Sequence, residues 1–148
     1  MITARQLITA GSQCEVYCLP SSATVFDALQ MMADKNVGAV IIHEGQHMVG
    51  IFSERDYARK IILAGKSSLD TPVAEIMSCD PITIIPETDI ETCMELMTKH
   101  YIRHLPVIEN GQPVGMISMR DVVAAIISDR DNLIRKLEDY ILGEGYGQ

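Results

Sequence analysis

Apolar positions along this chain alternate between helical spacing and short aliphatic runs, and that alternation lays out its elements. Ile2 to Ala10 reads as a short amphipathic helix carried by Ile2, Leu7 and Ile8 and ended by Gly11. Glu15 to Leu19 is a short strand running into Pro20. Ser21 and Ser22 then offer capping hydroxyls to a helix with Val25, Ala28, Leu29 and Met32 at helical spacing, stopping near Asn36 and Gly38. Val37 to Ile42 is a continuous, β-branched run, the pattern of a strand buried on both faces. After a turn at Glu44-Gly45-Gln46, Met48 to Phe52 returns as its hairpin partner, and from Asp56 the chain is helical through Ala64, closing on Gly65 and Lys66.

The second half follows the same order. Lys66 to Thr71 is a polar connector before Pro72, and Val73 to Met77 is a short helical turn. Pro81 to Ile85 reads as a strand, and Pro86 to His100 contains a helix with Ile90, Cys93, Met94 and Met97 inward. Ile102 to Ile108 and Val114 to Ser118 form a hairpin around Asn110-Gly111, an efficient turn pair. A helix from Asp121 is expected to end near Ser128, and Asp129 to cap a last helix with Leu133, Ile134, Leu137, Tyr140 and Ile141 as one apolar stripe. Arg130, Asp131, Arg135, Glu138 and Asp139 lie mostly off that stripe. Gly143, Gly145 and Gly147 predict a flexible tail.

The matching order reflects a tandem repeat. Gly50-Ile51-Phe52-Ser53-Glu54-Arg55-Asp56 returns 65 residues later as Gly115-Met116-Ile117-Ser118-Met119-Arg120-Asp121, and the offset holds without a gap from Val25/Ile90 to Ile62/Ile127. Nine positions in that window are identical, where average residue usage gives roughly two by chance. The expected architecture is α/β: two βαββα repeats, residues 12–66 and 72–128, around a pseudo-two-fold axis within one unit spanning 1–148, with 129–148 as terminal helix and tail. Repeats of this length are marginal alone, which predicts one shared core.

Composition narrows the function. A hydrophobic content of 47% without Trp describes an aliphatic interior. No run approaches the ~20 apolar residues that span a bilayer, and the start of the chain lacks a signal-peptide core, so a cytoplasmic protein is expected. A net charge of −8 with 12 Lys and Arg argues against nucleic acid. Cys14, Cys18, Cys79 and Cys93 form neither a C-x-x-C pair nor a zinc framework and read as reduced thiols, with a redox role for Cys14 and Cys18 the less economical alternative.

The repeated signature carries a chemical logic. A strand end delivers Ser and a helix start delivers Asp, where the helix dipole favours an acid in any case. A carboxylate there can also accept both hydrogen bonds of a ribose diol, while Ser hydroxyl and Arg guanidinium suit sugar and phosphate oxygens. On this reading capping requires neither the paired Ser nor the paired Arg, so their recurrence favours ligand contact. Other motifs carry less. His43-Glu44-Gly45-Gln46-His47 spells the zinc-protease signature H-E-x-x-H, but that chemistry needs a helix, and this stretch aligns with a hairpin tip at Ile108-Glu109-Asn110-Gly111-Gln112. No G-x-S-x-G or G-x-G-x-x-G frame is present. Met31, Met32, Met94 and Met97 read as core filler.

The repeat, together with Val73-Ala74-Glu75-Ile76-Met77 and Ile102-Arg103-His104-Leu105-Pro106-Val107, resembles the cystathionine-β-synthase (CBS) domain, two of which pair into a Bateman module. The compact chain is similar to the stand-alone bacterial CBS-pair proteins. The resemblance covers about Glu15 to Ser128 and implies a regulatory, non-catalytic binder of an adenosyl ligand (AMP, ADP, ATP, an NAD-type molecule or S-adenosylmethionine) in two related clefts. Carried over, Ser118 and Asp121 serve one cleft, with adenine between Val16, Tyr17, Cys18, Leu19 and Ala39, Val40, Ile41, Ile42, and Met116 behind it. Ser53 and Asp56 serve the other, with Cys79 to Thr83, Pro106 and Val107, and Ile51 behind.

Arg55 and Arg120 are phosphate candidates or salt-bridge formers. Arg103 and His104 add cationic or hydrogen-bonding groups where the first repeat has Gly38 and Ala39, though His104 reads equally well as a satisfied, half-buried histidine. A homodimer through helical faces and a regulated protein partner complete the expectation, with no nucleic acid and no membrane. The rival reading is a ligand-independent interaction module that docks a partner through its terminal helix.

Overall fold

The computed structural model describes residues 1–10 and 17–142; Cys14, Glu15, Val16 and the glycine-rich tail lie outside the described residues. The chain belongs to the mixed α/β class. In the first repeat, strand β1 (Cys18–Pro20) runs parallel to β2 (Ala39–Glu44), which is antiparallel to β3 (His47–Ser53), and β3 pairs in turn with β4 (Ser78–Cys79). Helix α2 (Val25–Lys35) covers one face of this sheet. The second repeat contributes the hairpin β5 (His104–Glu109) and β6 (Gln112–Ser118), covered by α4 (Ile90–His100). Both hairpins carry an irregularity at matching places, between Ile42 and His43 and between Val107 and Ile108.

Local chemistry fixes the boundaries. Helix α2 begins at Thr24 rather than at the expected Ser21 and Ser22. Thr24 Oγ1 accepts from Asp27 N at 3.1 Å and Asp27 Oδ2 accepts from Thr24 N at 3.0 Å, a reciprocal capping box. The serine pair falls instead in a turn closed by Ala23 N donating to Pro20 O. Helices α2 and α4 end at equivalent residues, Asn36 and Tyr101, both left-handed with φ of 54° and 55°. Asn110 and Gly111 both have positive φ, as a two-residue turn requires.

Three expectations need correction. The strand over Pro81 to Ile85 is reduced to one parallel bridge between Ile84 and Val107, with Ile84 N and Ile108 N donating across it. The helix after Asp56 is α3 (Glu54–Asp56) followed by a π-helical turn, Tyr57–Ile62, whose wider ladder is seen in Leu63 N donating to Ala58 O. Helix α5 (Met119–Leu142) runs unbroken through Ser128 and Asp129. That stretch contains no Gly or Pro to stop it, and its polar residues are polar because they are exposed.

Among the described residues the two repeats have two clusters of buried side chains rather than the expected one. Val40, Ile42 and Phe52 pack with Val25, Ala28, Met32, Ile61, Val73 and Ile76. Leu105, Val107 and Ile117 pack with Ile90, Cys93, Met97, Val122 and Ala4. Side chains of a strand alternate between faces, so each hairpin spends one face on its own helix. The other face, with Ala39, Ile41 and Ile51 in the first repeat, is left for the junction where β3 approaches β6. The N-terminal helix α1 (Ala4–Ala10) belongs to the second core: Ala4 is buried there, and Ala4 N and Arg5 N donate to Thr88 O and Pro86 O. The 3-10 turn Val73–Glu75 does the same for the first core.

Gly50 and Gly115, identical in the two repeats, serve different neighbours. The three atoms nearest to a Cβ on Gly115 all belong to the flexible side chain of Ile8, the closest at 2.9 Å. One on Gly50 would lie 2.6 Å from Met77 Sδ and 2.9 Å from the backbone oxygen of Ser78, which is fixed by the β3–β4 pairing. Gly50→Ala should therefore destabilise the fold by about 1–3 kcal/mol and more than Gly115→Ala does, a ranking that urea denaturation of the two variants checks.

Candidate functional site

The strand-to-helix junction of each repeat is built the same way. Ser118 Oγ accepts from Asp121 N at 3.1 Å, and Asp121 Oδ2 accepts from Ser118 N at 2.9 Å. Ser53 and Asp56 repeat this at 3.2 and 3.0 Å. These are capping boxes, so helix capping alone does account for the paired Ser and Asp, contrary to the expectation above. What capping leaves open is the remaining carboxylate oxygen and the arginine, and there the repeats diverge.

Asp121 is exposed, and its Oδ1 has no hydrogen-bond partner among the described residues. It lines a cleft of about 460 Å³ with Ser118, Arg120, Met116, Gly115, Tyr17, His104, the segment 36–39, and Leu7 and Ile8 from α1. Arg120 makes no ion pair among the described residues. Asp56 is half-buried and saturated: beyond the capping bond it accepts from Ser53 Oγ and from Ser78 Oγ, each at 3.2 Å, and lies 3.3 Å from Lys60 Nζ. Arg55 reaches across to the second repeat, Nη1 donating to Tyr101 O at 2.6 Å. Its cleft, about 590 Å³, is lined by Ile51, Ser53, Glu54, Arg55, Asp56, Arg59, Lys60, Ser78, Pro81, Ile82 and the segment 100–104.

Each cleft is composite. The first takes 36–39 from the first repeat and 115–121 from the second; the other takes 51–60 from the first and 101–104 from the second. These segments exchange under the same 65-residue offset, so the clefts are pseudo-symmetric. Of the residues expected at the first cleft, Ser118, Asp121, Arg120, Met116, Tyr17 and Ala39 line it, joined by His104. Val40 and Ile42 do not: strand alternation turns them into the first core. Cys18 sits half-buried in β1, where desolvation pushes its thiol pKa up, and Val16 lies outside the described residues.

At the second cleft, Ser53, Asp56, Arg55, Ile51, Arg103 and His104 are brought together. Val107 is wholly buried in the second core, Pro106 is buried opposite Met116 in the hairpin, and Thr83 lines a separate groove beside Asn110. Sequence reasoning passed over Leu7 and Ile8, which only tertiary packing delivers, and Arg59 and Lys60, which the repeat offset could have flagged because their counterparts are Ala124 and Ala125. The zinc-protease look-alike lies on the β2–β3 hairpin, with His43 and His47 on opposite strands around Gly45.

The chain belongs to the CBS domain family, which matches residues 2–63 and 73–128. It is 44% identical over 128 residues to the mitochondrial CBS domain-containing protein CBSX3 of Arabidopsis thaliana, an alignment covering 83% of this chain and 62% of the relative. The chain thus spans less than two thirds of that relative's length. Among solved structures it is similar to a protein with CBS domains from Burkholderia ambifaria, with a TM-score of 0.82 and 40% identity over 86% of this chain and 95% of the other. It is also similar to a CBS domain protein of Pyrobaculum aerophilum complexed with AMP, with a TM-score of 0.72 and 28% identity over 81% and 89%. Among the described residues no helix is long and apolar enough to cross a membrane.

His104 lines both clefts, packed over Gly38, where an added Cβ would come within 3.3 Å of its Nε2 and 3.2 Å of Glu54 Oε1. Burial lowers its pKa below the ordinary 6.5; Asp121 and Glu54 oppose the shift, and Arg103 and Arg55 reinforce it. Below about 6.5 the unfolded chain binds a proton that the folded imidazole resists, so the fold loses stability as pH falls from 6.5 toward the depressed value. Thermal midpoints measured between pH 7.5 and 5.5 should decline, and His104→Gln should flatten the decline.

Proposed function

We propose that this chain is a regulatory module that binds an adenosyl ligand, AMP, ADP, ATP or an NAD-type molecule, and acts by shifting a conformational or partner equilibrium rather than by catalysis. The observation that carries this reading is Asp121 Oδ1, without a hydrogen-bond partner among the described residues, beside Arg120, without an ion pair among them, in a cleft of nucleotide size. The carboxylate retains lone pairs for both hydroxyls of a ribose diol. Arg120 suits a phosphate. Tyr17 and Met116 supply the flat and apolar surfaces that a purine ring needs. The AMP bound to the Pyrobaculum relative supports the same ligand class. The free thiols of Cys18, Cys79 and Cys93 suit the reducing cytoplasm that we assign to it.

A second reading has its own support. Beyond Ser128 every described residue of α5 is exposed, including Leu133, Ile134, Leu137 and Ile141. Such a stripe suits a homodimer contact or a partner, and a purely interacting module would use it with the clefts vestigial.

Calorimetry with AMP separates the two. Asp121→Ala should weaken binding about tenfold or more, the scale of a charged hydrogen bond; unchanged affinity would sink the ribose assignment. A thermal panel of AMP, ADP, ATP, NAD, NADH, S-adenosylmethionine and GTP then names the ligand, since binding at 100 times Kd adds about 2.7 kcal/mol. No shift with any of them, together with a ligand-independent partner lost on deleting residues from Asp129 onward, favours the interaction module.

A further inference from the structure

The two clefts share a motif and differ in charge. Among the described residues the first holds one permanent cation, Arg120, against one carboxylate, Asp121. The second holds Arg55, Arg59, Lys60 and Arg103 against Glu54 and Asp56, with His100 and His104 alongside. A cleft of net positive charge in a chain of net −8 is a local arrangement with a traceable origin. Arg59 and Lys60 stand where the other repeat has Ala124 and Ala125, and Arg103 stands where it has Gly38. The extra cations arise in different repeats, yet the pseudo-two-fold arrangement carries all of them to the same side.

The carboxylate in this cleft is also closed. Asp56 Oδ1 is held by Ser78 and Lys60, and Oδ2 by both the amide and the hydroxyl of Ser53. A ribose diol would have to displace these partners. Arg59, by contrast, is exposed and has no ion pair among the described residues, and the same holds for Arg103.

We propose that the second cleft is a polyphosphate site: it takes a chain of two or more phosphates, borne by a nucleotide or free, through Arg59 and Arg103, with Lys60 and Arg55, held by Asp56 and the Tyr101 carbonyl, adding their charge, while the first cleft takes the nucleoside. The assignment to different ligand parts deepens the nucleotide reading and rests on it for the first cleft only. Guanidinium forks bind phosphate oxygens bidentately, and a cleft concentrates their field against the chain's overall negative charge. Two or more linked phosphates are needed to match cations spread along both walls. A single phosphate would leave most of them unused.

Calorimetry with tripolyphosphate, ATP and AMP tests this on wild type, Asp121→Ala and the double variant Arg59→Gln/Arg103→Gln. Both arginines are exposed, and unchanged thermal midpoints establish that the double variant folds. Tripolyphosphate should bind wild type and Asp121→Ala alike and weaken about tenfold or more in the double variant, the scale of lost charged contacts. AMP should respond only to Asp121→Ala. Double-variant sensitivity for ATP but no tripolyphosphate binding identifies a nucleotide-borne chain; the reverse identifies a free one. If neither compound is weakened by the double variant, or tripolyphosphate binding follows Asp121 instead, the polyphosphate site is overturned. Failure of AMP to depend on Asp121 overturns the nucleoside reading of the first cleft separately.

Discussion

The clefts owe their position to a backbone hydrogen bond made twice. Glu54 N donates to Gly38 O at 3.1 Å and Met119 N to Arg103 O at 2.8 Å. Each ties the first residue of a helix to the residue just before the first strand of the same hairpin, so the hairpin's open end and the helix start become one rigid corner. The capping boxes at Ser53 and Ser118 then fix the carboxylates within that corner. Set against its pseudo-symmetric copy, the corner makes two clefts, each walled by a strand start of one repeat and a helix start of the other. Without the corner, Asp121 would be an ordinary cap on a surface helix.

Identical corners do not give identical chemistry. A carboxylate near a helix start is available to a ligand only if nothing nearby completes its coordination. The first repeat supplies such a complement: Lys60, one helical turn after Asp56, and Ser78, brought in by β4. Among the described residues the second supplies neither, and Ala125 stands in the place of Lys60. The arginines diverge in the same way. Arg55 is anchored by the carbonyl of Tyr101, whereas Arg120 has no ion pair among the described residues. Duplication preserved the scaffold, and a few substitutions around it redistributed hydrogen bonds and charge.

His104 stands between the two sites and lines both. Its counterpart by offset is Ala39, so the pseudo-symmetric pair of clefts shares one imidazole at this position rather than two. Gly38 is what admits it, because any side chain there would press on the ring and on Glu54. The imidazole thus forms part of the wall of both clefts, and its burial is what lowers its pKa.

The duplication was legible because it is a property of spacing: the 65-residue offset, the two hairpins and the Ser-x-x-Asp junctions are local patterns that survive without coordinates. So were Asp121, Ser118, Arg120 and Met116, which sit within one short segment. Tertiary structure decided what locality could not. Val40, Ile42 and Val107 belong to cores because strand alternation turns every second residue away from the cleft. Leu7 and Ile8 reach the first cleft because α1 packs against the distant second repeat. The equivalence of Asp56 and Asp121, apparent in sequence, is broken by Lys60 and Ser78, and Ser78 meets Asp56 only through β-sheet pairing across twenty-two residues. Sequence determines which groups can be capped, paired or charged; only the assembled fold determines which of them are left over to meet a ligand.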